Sequence, residues 1–450
     1  MTFKNVLIFG ALIIGSIFFS SEVIWAQQTS VKLPEIPIPK PTTFELPSVV
    51  QPFGPSMGIP MGSHPGIPSP TAPNMGYTES AQRWMQMQQL MAEIQQDHLR
   101  TLYDFPEPDQ NLPGIESYNQ AFQSIQEMLS GQKPLSLSDA VFEVENAFYE
   151  GQLSKEVFDE SLDYYADLTL RWLEEQNLNT SSNTAKIYGL QKLFTDTLEI
   201  SSPGMESVQI HYPFEYDFED FWGREDFTKQ FVSKLLARGS GQCYSLPTLF
   251  LMLAERLDVD AHLAFSPNHS FIRFQDTDGQ WYNFETTSGY LVSDAWVMGS
   301  GYVTADAVRN KIYLQPLSSE QVVANKLADL AQGYKRKYGN APFVKEASEA
   351  SLSHFPNNIV ALMVRANYQT ELVNWLWNVR GKPHPSEFES DPKLGAIVAE
   401  RMQMYQYMDS IGYQDMPAEA YEDWLESVET EKAKQEQRNQ ELRLSGRSKQ

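Results

Sequence analysis

The stretch GSGQCYSLPTLFLMLAERL, residues 239–257, holds Cys243, the sole cysteine of a 450-residue chain. Gly239 and Gly241 predict a turn, and the apolar residues after it recur at helical spacing, so the thiol is expected at a helix N-terminus. The partial positive charge there favours a thiolate. A thiol with no partner in its own chain cannot enter an internal disulfide. It is either inert or chemically employed, and this setting favours employment.

Formal net charge is −24, with acidic residues spread along the whole chain. No basic patch rises above that background, which argues against nucleic-acid binding. The seven histidines are scattered without ligand spacing, so no metal and no cofactor is expected. Residues 1–26 read as a signal peptide: Lys4 supplies a positive start, Val6 to Phe19 an apolar run, and Ala26 a small residue at the cleavage point. The protein is then periplasmic or secreted, and tethered to the membrane if the segment is retained. No later apolar stretch is long enough to cross a bilayer, so no stable transmembrane domain is expected after cleavage.

Residues 27–77 carry a dozen prolines among Gly, Ser and Met and are expected to form an extended, disordered arm. An N-terminal helical region is expected over 78–200. In it, SLSDAVFEVENAFYEG offers Ser138 as a cap, and Ser154 caps a longer helix with Phe158, Leu162, Tyr165, Leu168 and Trp172 along one face. Residues 201–317 change character. VQIHYPFEYDFEDFW alternates aromatics with acids, as an extended segment does, and AHLAFSP, HSFIRFQ and GQWYNFET read as strands. Helices return over 318–375, and 376–450 read as a polar linker followed by a charged helix. The fold class is therefore α+β.

A thiol nucleophile needs a base within reach and a group that orients the base. His269 begins the strand HSFIRF, and Glu285 ends the strand WYNFE. The alternation puts Ile272, Phe274, Tyr282 and Phe284 on one face, and His269, Arg273, Asn283 and Glu285 on the other. Odd residues pair with odd ones only if the connecting loop has an odd length. A three-residue loop at 276–278 sets His269 directly opposite Glu285. Asn283 is a substitute orienter, and Gln242 a candidate contributor to an oxyanion site. His211 and His262 are expected to be structural.

The order Cys, His, acid, with the Cys opening a helix, resembles the transglutaminase-like superfamily of papain-related thiol folds. GQCYSLPTLFLMLAERLDV followed by PNHSFIRF is similar to its SirB1-like branch, over roughly residues 136–375. The resemblance implies a helix packed on an antiparallel sheet, flanked by helical hairpins and tetratricopeptide-like repeats over 318–375. It implies Cys243 as nucleophile, His269 as base and Glu285 as the acid. The superfamily usually has Asp followed by Pro at that last position, where this chain has Glu285-Thr286.

Two functions follow. One is thiol acyl transfer, by hydrolysis or transamidation of a peptide or protein amide through a Cys243 thioester. The other is a non-catalytic module that binds protein or peptide on a degenerate scaffold of the same kind. For either, a polypeptide is expected in an open groove walled by Trp281, Trp222 and Tyr212.

Overall fold

In the computed structural model, residues 85–91, 102–201, 208–220, 225–414, 428–437 and 440–441 are described. The expected signal peptide 1–26, the arm 27–77 and Trp222 lie outside the described residues. The helices α1 (Ile115–Leu129), α2 (Leu137–Phe148), α3 (Lys155–Glu175) and α4 (Asn183–Thr195) lead the described fold. Ser154 caps α3 as its sequence predicts, accepting from Val157 N. The cap of α2 is Ser136, however, which accepts from Asp139 N. Ser138 is instead drawn into the core: its amide and hydroxyl both donate to Glu255, at 3.1 and 2.9 Å. A serine two positions upstream also has the extended backbone of a cap residue, and a carboxylate from a distant helix claims Ser138.

The segment 198–241 folds into short strands. β1 (Leu198–Ser201) pairs antiparallel with β2 (Val208–His211), and β3 (Glu215–Tyr216) pairs parallel with β4 (Ser240–Gly241), with helix α5 (Val232–Arg238) between them. After β4 comes α6 (Ser245–Arg256), whose Leu246, Leu249, Phe250 and Leu253 are all buried. Then β5 (His262–Ser266), β6 (His269–Gln275), β7 (Trp281–Glu285) and β8 (Tyr290–Val292) form an antiparallel sheet in that order. α6 packs on this sheet, with Phe250 and Phe284 ring centroids 5.6 Å apart. The free edge of β5 is closed by Leu314 and Leu317, whose amides donate to Phe265 O and Leu263 O, both at 2.9 Å.

The loop between β6 and β7 has odd length, as the facial pattern requires, but it spans 276–280. Asp276 closes it: its carboxylate accepts from Asp278 N and Gln280 N at 2.9 Å each, and Gly279 takes φ 77°. The two extra residues shift the ladder. Ile272 faces Phe284, which sets Phe271, and not His269, opposite Glu285.

Past short helices α7 (Asp294–Ser300) and α8 (Ala305–Arg309), three long helices follow: α9 (Ser319–Tyr338), α10 (Pro342–His354) and α11 (Ile359–Val379). α9 starts in a full capping box, with Ser318 and Gln321 bonding each other's backbone. The stretch expected to be a polar linker also folds. After a single turn, α12 (Pro385–Phe388), Asp391 caps α13 (Pro392–Ser410), and Pro392 is in its first turn. Few of its residues are apolar and buried, so periodicity hides it. What holds it is polar: Arg365 of α11, itself buried, pairs with Glu349 of α10 and Glu400 of α13. The charged C-terminal segment is helical over 428–437, here α14.

The result is an α+β fold with two apolar clusters. One lies between α6, the β5–β8 sheet, α3 and α4. The other lies among α1, α2, α9, α10 and α11. Among the described residues no helix is long and apolar enough to cross a membrane.

Candidate functional site

β4 delivers Cys243. Gly241 is required there, because a Cβ at that position would meet Ser245 Oγ at 2.6 Å. The same hydroxyl accepts from Gln242 N at 2.9 Å, which fixes the turn. Cys243 then stands two residues ahead of α6, half-buried, with no disulfide partner. Its backbone carbonyl accepts from Ser270 Oγ at 2.6 Å, so β6 is tied to the residue that bears the thiol. Between β5 and β6 lies the two-residue turn Pro267-Asn268, with Asn268 at φ 56°. Pro presets the first turn position, and Asn tolerates the left-handed second one. This turn aims Asn268 O at the thiol, which donates to it weakly at 3.9 Å.

His269 follows at the start of β6. Its Nε2 lies 2.5 Å from Glu285 Oε2. Glu285 is buried, and its other oxygen accepts from Thr287 N and Thr287 Oγ1 at 3.2 and 2.9 Å. The His269 side chain keeps 28% of its surface exposed, yet it lies deep enough that burial works against its charge. The Glu285 charge and a hydrogen bond with Cys243 overcome that burial and hold the imidazole well above the usual histidine range. Cys243, His269 and Glu285 are thus brought together. With Nε2 taken by Glu285, Nδ1 is the ring nitrogen left for the sulfur.

A fourth member is Tyr216, which sequence reading placed only in an aromatic run. Parallel pairing of β3 with β4 sets Tyr216 against Gly241, two residues before Cys243. Burial, then the Cys243 charge and a hydrogen bond to Cys243, hold the Tyr216 phenol well above its ordinary range. It therefore stays protonated, in the lining of the cavity that Cys243 shares. No motif announces it, because a parallel pairing only two residues long leaves no trace in the hydrophobic pattern.

Cys243, His269 and Tyr216 open on a cavity of about 360 Å³. Val141, Val144, Phe231, Ile359 and Met363 make its walls largely apolar. Polar groups gather on another part of its wall. Lys326 Nζ lies 2.9 Å from Asp329 Oδ2 and 3.0 Å from the Tyr244 hydroxyl, which itself donates to Asp329 at 2.5 Å. Glu145 also lines the cavity and accepts from Val232 N and Ser233 N at 2.7 and 2.8 Å. Burial, partly offset by those amide bonds, pushes its carboxyl up to about 7.

Other expected site residues sit elsewhere. Asn283 donates to Val292 O and Asp294 Oδ1, at 3.2 and 2.7 Å, and has no bond to His269. It orients β7 against the start of α7, while the longer Glu285 side chain takes the imidazole. Gln242 does line the cavity, but its amide nitrogen is committed to Asp220 O at 2.8 Å. Tyr212 is exposed and does not line the cavity. Trp281 does not either; it packs against His262, and the Arg273 guanidinium lies over its ring at 5.3 Å. The walls of the cavity come instead from α2, the α5 entry and α11, which sequence separation conceals. His211 bonds Leu193 O at 2.8 Å, and His262 bonds Leu317 O at 3.1 Å.

No family model and no curated protein matches the chain. Among solved structures it is similar to the crystal structure of menin that reveals the binding site for the Mixed Lineage Leukemia (MLL) protein. Identity is 12% over 69% of this chain and 88% of that one, with a TM-score of 0.29, a likeness too slight to bear on fold or function.

Proposed function

We propose that the chain is an exported, transglutaminase-like thiol acyl-transfer protein acting on a peptide or protein amide. The observation that carries this reading is the 2.5 Å bond from Glu285 to His269 Nε2, at the rim of a cavity that Cys243 also lines. His269 Nδ1 takes the thiol proton. The sulfur lone pair forms a C–S bond at the amide carbonyl, and the π pair moves onto oxygen. This reading assigns that charge to backbone N–H groups at the start of α6 and to the Tyr216 hydroxyl. Collapse restores the carbonyl and expels the amine, which takes the proton from His269. Water or a primary amine then opens the thioester, giving an acid or a new amide and returning the thiol.

Iodoacetamide alkylation of Cys243 at about pH 6, followed by mass spectrometry, tests the pair. The expectation is a rate at least ~10-fold above that of the His269→Gln variant, as a base held at the sulfur requires. Equal rates, together with no turnover of peptide amides, would leave the non-catalytic binding module as the surviving reading.

A further inference from the structure

Among the described strands, β3 pairs with β4 alone. Glu215 N donates to Gly239 O at 2.9 Å, and Asp217 N donates to Gly241 O at 2.7 Å, so the residues flanking Tyr216 face β4. Backbone polar groups alternate along a strand, so the N–H and C=O of Tyr216 point away from β4, to the outer edge. One side chain occupies both. Tyr216 N donates to Gln435 Oε1 at 3.0 Å, and Gln435 Nε2 donates to Tyr216 O at 2.8 Å. A primary amide offers one acceptor and one donor side by side, which is what a neighbouring strand would offer.

Gln435 belongs to α14, most of whose described residues are exposed. Along 428–437 only Val428, Glu431 and Gln435 are half-buried, a single stripe at helical spacing, and the other residues are exposed. So polar a stretch has little helix stability of its own, and its position depends on tertiary contacts, those of this stripe among them.

We infer that the outer edge of β3 is the docking edge for an extended polypeptide substrate, and that Gln435 holds it closed by standing in for one residue of the added strand. The inference rests on the thiol acyl-transfer reading for its purpose, though the binding it describes needs no chemistry. An incoming chain would exchange the two Gln435 bonds for two backbone bonds and gain further ones along the edge. The added strand would lie beside Tyr216, which lines the cavity together with Cys243. Seating a substrate therefore releases α14 and loads the site in one event. The occupant is a main chain in extended form, chosen by backbone rather than by one side chain.

The test uses the full chain with Cys243→Ala, so that no turnover intervenes, and compares it with the same chain carrying Gln435→Ala or Gln435→Glu. Glu keeps the acceptor for Tyr216 N but sets a carboxylate against Tyr216 O. The probe is fluorescein-labelled casein, a disordered polypeptide, followed by fluorescence anisotropy. Gln435→Ala loses both competing hydrogen bonds and should tighten casein binding roughly tenfold, while Gln435→Glu loses the one to Tyr216 O and should tighten it by about half as much in free energy, roughly threefold. Amide hydrogen exchange of the peptide containing Tyr216 should speed up in the variants alone and slow again when casein is added. Equal casein affinity in all three chains would overturn the inference. So would tighter binding without renewed protection at Tyr216, or unchanged exchange there in the variants. Failure of the enzyme reading shows separately, as an alkylation rate indifferent to His269→Gln in the chain that keeps Cys243.

Discussion

Glu285 reaches the His269 imidazole at 2.5 Å although the two residues are diagonal, not opposite, across the β6–β7 ladder. Diagonal Cα atoms lie about 7–8 Å apart, a span that favours the longer of the two acidic side chains. The extra methylene of glutamate over aspartate fits the five-residue loop 276–280 that shifts the register.

Shortening that side chain should therefore cost more than its chemical similarity suggests. For Glu285→Asp we expect Cys243 alkylation at pH ~6 to fall on the order of 10²-fold. Glu285→Gln keeps the length but not the charge and should fall similarly. The check is the full pH–rate profile. Both variants should move toward the profile of His269→Gln, a shift that a loss of folding alone does not produce.

His269 also links stability to pH. Its folded pKa is raised above its unfolded one, by the Glu285 charge and the Cys243 hydrogen bond working against burial. Its stabilising contribution is therefore fully present below about pH 6.5 and is lost as pH rises through the raised folded value. His269→Gln should destabilise most in mild acid, and its deficit should shrink toward alkaline pH. Urea melts of both chains across pH check the sign.

Glu145 behaves as a buried acid with folded pKa about 7. Because that value is raised, the folded state holds more protons than the unfolded one between ordinary carboxylate values and about 7, and stability falls as pH rises through this window. Glu145→Gln removes the titration. Relative to the parent it should gain a few kcal/mol between about pH 4.5 and pH 8. The measurement is the difference in unfolding free energy at the two pH values.

Gly241→Ala places a methyl 2.6 Å from Ser245 Oγ and 3.2 Å from Leu235 Cδ1. Overpacking of that kind costs about 1–3 kcal/mol. It also pushes Ser245 away from Gln242 N, so the turn that presents Cys243 should loosen, and alkylation should slow alongside the drop in melting temperature.

Much of the site's framework was legible because it is local. The run after Cys243 showed helical spacing, and the alternation in HSFIRF and WYNFE put His269 and Glu285 on one face. What escaped depends on contacts between distant segments. Ser138 looked like a cap until Glu255, over a hundred residues on, is seen to hold it. Tyr216 gains its place from a two-residue parallel pairing, and α13 from charged partners that no hydrophobic period marks. The cavity walls from α2 and α11 escaped for the same reason, and so did the displacement of Tyr212 and Trp281 from it.

The cavity draws its parts from two distances along the chain. Tyr216, Cys243 and His269 in its lining, with Glu285 bonded to His269, all precede residue 286, while Lys326, Asp329, Ile359 and Met363 follow it. A chain emerging N-terminus first thus has its whole reactive cluster in hand before α9 and α11 exist to wall it in. Part of the enclosure therefore follows the chemistry in the order of synthesis, and α14, later still, reaches back to Tyr216.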